Sequence, residues 1–209
     1  MAKSTKPKSA TSFKETAPGI VSRSQLVPLE AQGIKKALEY IIKISDAKPP
    51  ITPDLIKDIH KVGFVFIFPD WAGKFRSIEV TVGTYAPPSY YELPPLVKSL
   101  CDDLAERLRH LPSSSEQEKY LDEVISLLAW FQHRLVWIHP FQDYNGRISR
   151  VLTNLLLLNL ELPIMEIKAG TKKDRGYYIK AMKEADKGNL TKLENLLAQA
   201  LKENLENLL

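Results

Sequence analysis

The chain is poor in the residues that build several kinds of protein. It has one cysteine, Cys101, in 209 residues. That excludes an intramolecular disulfide and any zinc site built from several thiolates. No apolar run approaches the ~18 residues that a bilayer span requires. The start, MAKSTKPKSATSFKE, has basic residues but no apolar stretch behind them, so it does not read as a secretory signal. The expectation is a soluble protein of a reducing, cytoplasmic setting. Phosphate-loop patterns are missing too: neither GxxxxGK(S/T) nor GxGxxG occurs. Nor does HExxH, and the four histidines, His60, His110, His133 and His139, have no metal-ligand spacing.

The charge is less informative than a pI near 9.0 suggests. Residues 1–24 hold Lys3, Lys6, Lys8, Lys14 and Arg23 against Glu15 alone, which accounts for the whole net charge of +4. The remainder is balanced, so a broad phosphate-binding face is not expected and nucleic acid is a disfavoured partner. Residues 1–23, rich in Lys, Ser and Thr, read as a flexible basic arm.

What is present is helical periodicity. Ile34, Leu38, Ile41 and Ile42 recur at helical spacing between Glu30 and Ile44, which makes 24–50 an N-terminal helical segment. Thr52-Pro53-Asp54 supplies a cap and a first-turn proline for the next helix. Further helices are predicted over about 95–109, 120–138, 146–160, 174–185 and 190–209. The 146–160 stretch is apolar on most sides, so it belongs in the centre of the domain. Only RSIEVTVGTY (Arg76–Tyr85) alternates, and it reads as a short strand or hairpin. The fold class is mainly α, a helical bundle with one small β-hairpin.

The chemistry concentrates in HPFQDYNGRISR, His139 to Arg150. Arg147 and Arg150, three apart, share a helix face in the first turns of an apolar helix. Cations are disfavoured at a helix N-terminus unless an anion joins them, and guanidiniums with free backbone N–H groups behind Gly146 suit a phosphate. Two arginines paired with internal acids are the plainer reading. Asp143, placed among phosphate ligands, suits a magnesium ion held jointly with substrate phosphates, or else caps the helix at Asn145–Gly146. His139 ends the preceding helix before Pro140. There it could take a proton from an incoming hydroxyl, or be a satisfied structural residue. Phe141 reads as packing the loop onto the core.

This stretch resembles the Fic/Doc signature, HxFx(D/E)(G/A)N(G/K)Rxx(R), with His139, Phe141, Asp143, Asn145, Gly146, Arg147 and Arg150 in place. WAGKFR (Trp71–Arg76), FQHRLVWI before the signature, and Tyr177–Leu197 are similar to the family as well, so 51–209 is taken as a Fic domain. The resemblance implies a helical fold with a hairpin flap, here 76–85, against which a target protein docks as an added strand. It implies transfer of AMP from ATP to a Ser, Thr or Tyr hydroxyl, with pyrophosphate leaving. His139 would deprotonate the hydroxyl. Asp143 would hold Mg2+ across the α- and β-phosphates. Asn145, Gly146 and Arg147 would cradle phosphates, and Arg150 would hold the γ-phosphate.

Two positions depart from the pattern. Tyr144 stands where the family has Gly or Ala, which points to a loop that turns the ring away or to a reshaped pocket. The family's inhibitory pattern, (S/T)xxxE(G/N), is met only partly, by Leu26–Ala31, which keeps Glu30 as a regulatory residue expected to pair with Arg150. Without such a glutamate, an antitoxin-like partner would be the restraint. Other readings are transfer of UMP, phosphocholine or phosphate, and a weakly catalytic binding module whose donor site Tyr144 blocks. Gly146, where Doc-type members have Lys, speaks against phosphate transfer.

Overall fold

The structure is a computed structural model that describes residues 13–169 and 171–206. Two strands, β1 (Phe13–Thr16) and β2 (Gly19–Ser22), lead into helices α1 (Arg23–Ser45) and α2 (Pro53–Phe64). A single 3-10 turn at Tyr90–Glu92 precedes α3 (Leu93–Arg109), α4 (Gln117–Ile138), α5 (Asn145–Asn159), α6 (Lys172–Ala185) and α7 (Thr191–Glu206).

The mainly α class is observed, and α5 is the centre of the bundle. It packs against α1, α2 and α4, and α4 in turn packs on α3 and α7. Ile148, Val151, Leu152, Leu155, Leu156 and Leu157 of α5 are all buried, as the all-round apolar pattern predicted. Polar side chains of α4 and α5 pair with one another inside. Thr153 Oγ1 donates to Gln132 Oε1 at 3.0 Å, and Gln132 Nε2 donates to Tyr178 Oη at 3.1 Å, which joins α5, α4 and α6. Asn154 pairs both ways with the Met165 backbone and holds the segment after α5.

The position of α1 is set by two glycines. A Cβ on Gly33 would lie 2.2 Å from the carbonyl oxygen of Gly63 on α2, so only glycine lets the two helices cross this closely. Three residues before Gly33, Glu30 is carried into the interior with no exposed surface.

Two expectations about β structure are corrected. The hairpin forms at 13–22, inside what read as a flexible arm, and residues 1–12 of that arm lie outside the described residues. Ala17 and Pro18 make its two-residue loop, Gly19 takes φ 116°, and the Ala17 N–H donates to Ile67 O at 2.9 Å. Ser22 then caps α1 through a reciprocal box with Gln25, so that helix begins at Arg23, well before Glu30. Conversely, 76–85 holds no strand, only a bridge in which Val82 and Tyr85 exchange backbone hydrogen bonds around Gly83. Pro87 and Pro88 cannot donate to a ladder. The buried Arg76 guanidinium supplies donors instead, to Ile78 O at 3.0 Å and to Pro88 O. Among the described residues, no helix is long and apolar enough to cross a membrane.

Candidate functional site

The loop between α4 and α5 brings the signature residues together, and it is bounded by two left-handed residues. His139 caps α4 at φ 52°, ψ 56°, and Tyr144 precedes α5 at φ 64°, ψ 9°. Each such conformation costs a non-glycine residue roughly 1–2 kcal/mol. The surroundings over-determine both. The His139 N–H donates to Leu135 O at 3.1 Å, and its carbonyl accepts from Arg76 Nε at 2.9 Å. The Arg76 N–H also donates to Pro140 O at 2.9 Å. Burial lowers the Arg76 pKa, opposed by Glu79 at 3.6 Å.

His139 Nδ1 lies 3.2 Å from Val136 O. A carbonyl only accepts, so this contact puts the ring proton on Nδ1 and the lone pair on Nε2. Within the loop, the Asn145 side chain is occupied by the chain itself. Its Oδ1 accepts from Phe141 N–H and its Nδ2 donates to Phe141 O, both at 2.8 Å. The expected phosphate contact of Asn145 is thereby left to its backbone N–H, while its side chain closes the loop. Phe141 is fully buried, as expected of a residue that packs the loop onto the core.

The N-terminus of α5 has the features of an anion site. Among the described residues, the N–H groups of Asn145 and Gly146 have no protein acceptor, whereas those of Arg147 and Ile148 reach Tyr144 O. A Cβ on Gly146 would meet only Arg150 Nη1, at 3.7 Å. Arg150 lies 5.4 Å from the Tyr178 ring centroid and has no carboxylate at ion-pair distance among the described residues. Asp143 Oδ1 accepts from the Tyr144 N–H at 2.6 Å, so its recorded backbone contact is one residue short of the expected cap at Asn145–Gly146. Among the described residues, no three His, Cys, Asp or Glu side chains form a metal cluster. One carboxylate beside phosphate ligands is nonetheless enough for a magnesium ion that keeps its waters.

Glu30 enters the site from α1, with a partner other than the one expected. Its Oε2 lies 2.7 Å from Arg147 Nη2 and its Oε1 lies 3.0 Å from Arg23 Nη1. Tyr144 Oη donates to Oε1 at 3.1 Å. The predicted pair with Arg150 is replaced by this pair with Arg147, on an α1 whose close crossing with α2 the Gly33–Gly63 contact permits. Tyr144 itself is 3% exposed and stacks on Phe64 at 3.9 Å and 10°, beside Phe68 and Trp71. The ring therefore packs in the core, with the Arg147 guanidinium 5.5 Å from its centroid. Burial first, then the charges of Glu30 and Asp143, raise its pKa, which keeps it a hydrogen-bond donor to Glu30.

Sequence reasoning missed Arg76, Arg23 and His60. Arg76 closes the WAGKFR segment, so a signal for it was present. His60 had none beyond being a histidine in an apolar helix.

Comparisons with known proteins bear on the family and the fold. The sequence model of the Fic/DOC family matches residues 50–157. A protein adenylyltransferase Fic of Nematostella vectensis is 26% identical over 92% of this chain, and one of Drosophila grimshawi is 31% identical over 85%. This chain spans only 42% and 34% of the length of those two relatives. Among solved structures, the Bartonella tribocorum BepC protein with bound AMPPNP superposes with a TM-score of 0.71 at 20% identity, covering 96% of this chain and 97% of that one. With the family's sequence model matching more than half of the residues and the signature assembled at one helix N-terminus, this chain belongs to the Fic/DOC family.

Proposed function

We propose that this chain transfers AMP from ATP to a Ser, Thr or Tyr hydroxyl of a target protein. The observation that carries the reading is the α4–α5 loop. It runs from His139, whose Nδ1 lies against Val136 O, into a helix whose first N–H groups have no protein acceptor and whose Arg150 has no acidic partner among the described residues, which supports a base and an anion site in one loop. The names of the relatives, protein adenylyltransferase Fic, support the choice of AMP as the transferred group. So does the AMPPNP bound to BepC.

In this reading the triphosphate lies across the start of α5, where the backbone N–H groups of Asn145 and Gly146 and the helix dipole favour negative charge. Arg150 holds the terminal phosphate. Asp143 would hold a magnesium ion that arrives with the phosphates. That ion would supply charge neutralisation on the phosphoryl oxygens. The target hydroxyl attacks the α-phosphorus, its proton passes to His139 Nε2, and the bond from the α-phosphorus to the bridging oxygen breaks, releasing pyrophosphate. The target docks along 77–82. Support for this is that Ser77, Glu79, Thr81 and Val82 are exposed, and the N–H groups of 77–81 have no backbone acceptor among the described residues. Tyr85 Oη anchors the far end of the segment to Trp137 O at 2.9 Å, close to His139. A strand added there would be held by main-chain hydrogen bonds.

Glu30 is the restraint in this account. It holds Arg147, so a phosphate that needs Arg147 must displace a buried carboxylate. A restraint in cis makes a separate antitoxin-like inhibitor unnecessary. The reaction itself is tested by incubating the protein with magnesium, a cell lysate, and ATP labelled at the α- or the γ-phosphate. Protein label from the α position alone is expected. Label from γ alone would replace the reading with phosphate transfer.

A further inference from the structure

The signature loop is held from outside as well as from within, and one of its holders is a histidine on α2. His60 has no exposed surface. A polar ring at such a position is costly unless its nitrogens are matched, and both are. The Gly73 N–H donates to Nδ1 at 2.9 Å, in a turn where Gly73 takes φ 78°. Because Nδ1 accepts there, the neutral ring carries its proton on Nε2, which lies 3.2 Å from the carbonyl oxygen of Asp143 and donates to it. The ring also stacks on Phe141 at 3.8 Å and 21°.

The contact to Asp143 falls on a particular peptide. The carbonyl of Asp143 and the N–H of Tyr144 belong to one plane. Fixing the direction of that carbonyl fixes the N–H on its other side, and that N–H is held 2.6 Å from Asp143 Oδ1. The carboxylate is therefore oriented through the same peptide that His60 grips. The residue after that peptide, Tyr144, is the left-handed one that launches α5. The Asp143–Tyr144 peptide cannot rotate without breaking the His60 hydrogen bond.

We infer that His60 is a positioning residue for this site: through the Asp143–Tyr144 peptide it holds the Asp143 carboxylate and the first N–H groups of α5 in the arrangement that receives the nucleotide phosphates and their magnesium. The inference rests on the adenylyltransferase reading for its ligand, but not for the peptide it names. A histidine that only filled the core would be replaceable by any ring of similar size. A histidine that orients Asp143 is not.

The test uses three variants of the full chain. His60→Phe keeps the ring and the stack on Phe141 while removing both hydrogen bonds. His60→Asn is too short to reach Asp143 but can still accept from Gly73. His60→Gln offers an acceptor and a donor again. Hydrogen–deuterium exchange without ligand, and calorimetric titration of ATP with and without magnesium, are read for each. Expected are faster amide exchange over 143–147 in His60→Phe and His60→Asn. Binding of ATP in magnesium should weaken roughly tenfold, the scale of losing one net hydrogen bond. The loss should be smaller without magnesium, and His60→Gln should recover most of it. Should His60→Phe fail to fold, His60→Asn carries the same comparison. Unchanged exchange and unchanged magnesium-dependent binding in the folded variants would overturn the inference. If neither the wild-type chain nor Glu30→Gln binds ATP, the adenylyltransferase reading falls, and the exchange data still decide whether His60 holds the loop.

Discussion

Replacing Glu30 with glutamine should make the protein less stable and better at binding ATP. Glu30 is fully buried and meets Arg147 at 2.7 Å, Arg23 at 3.0 Å and the Tyr144 hydroxyl at 3.1 Å. Removing one partner of a buried ion pair costs ~3–5 kcal/mol. Here the two arginine side chains are 28% and 31% exposed, so water takes over part of the charge. Glutamine can still accept from Tyr144, and a loss of ~1–3 kcal/mol is the reasonable scale. The same interactions exist only while Arg147 faces Glu30. If they favour that state by ~1.4–2.8 kcal/mol, the competent fraction is small, and abolishing them raises apparent donor affinity by roughly 10–100-fold. Thermal melting and calorimetric titration of ATP in magnesium, on wild type and Glu30→Gln, measure both quantities on the same samples. A fall in stability with a gain in affinity identifies a restraint. A fall in stability with unchanged or weaker ATP binding would show that Glu30 is a brace, and the account of Arg147 would be wrong.

Gly33→Ala should destabilise the chain by ~1–3 kcal/mol through overpacking, since its methyl would meet Gly63 O at 2.2 Å. By forcing α1 outward it should also raise ATP affinity in the same titration; a stable variant with wild-type affinity would mean that α1 does not set the position of Glu30. Tyr144→Gly removes a ring stacked on Phe64 but relieves a left-handed residue, for a net loss of about 2–4 kcal/mol in denaturant titration. Its preference among ATP, UTP and CTP should match wild type, and a changed preference would place the ring in the donor site. Arg76→Lys leaves buried carbonyls at His139, Ile78 and Pro88 short of donors. Transfer should fall at least ~10-fold while ATP affinity holds, as expected if one lost donor costs ~1–3 kcal/mol at the loop that carries His139; equal losses in both would mean general loosening.

The helices were legible because their signals are local. Thr52 and Pro53 mark the start of α2, and the apolar run from Ile148 marks the buried α5. The site loop was legible for the same reason, as one continuous stretch. What sequence could not give was pairing across the fold. Arg147 and Arg150 share a face, so which of them meets Glu30 depends on how deeply α1 sits, and two glycines on different helices decide that. The alternation in 76–85 is real, but it predicts a strand only where a partner exists, and the neighbouring prolines offer none. The hairpin at 13–22 was hidden by its Lys- and Thr-rich surroundings, although Pro18-Gly19 is a turn signal. His60 acts on a backbone carbonyl, which leaves no mark in residue type or spacing, and the WAGKFR segment points to Arg76 without showing which carbonyls it holds. At Tyr144, steric preference argued against the left-handed turn, and stacking on Phe64 outweighed it.

The account turns on His139 acting at the α4–α5 loop, and the direct measurement compares protein labelling from α-labelled ATP in three forms of the chain. Wild type, Glu30→Gln and the double variant Glu30→Gln with His139→Ala are incubated with magnesium and the same lysate. The prediction is that Glu30→Gln labels faster than wild type and that adding His139→Ala cuts its rate by ~10²–10⁴-fold, the scale of a lost general base. A double variant that labels as fast as Glu30→Gln would contradict the account, because the chemistry would then lie elsewhere.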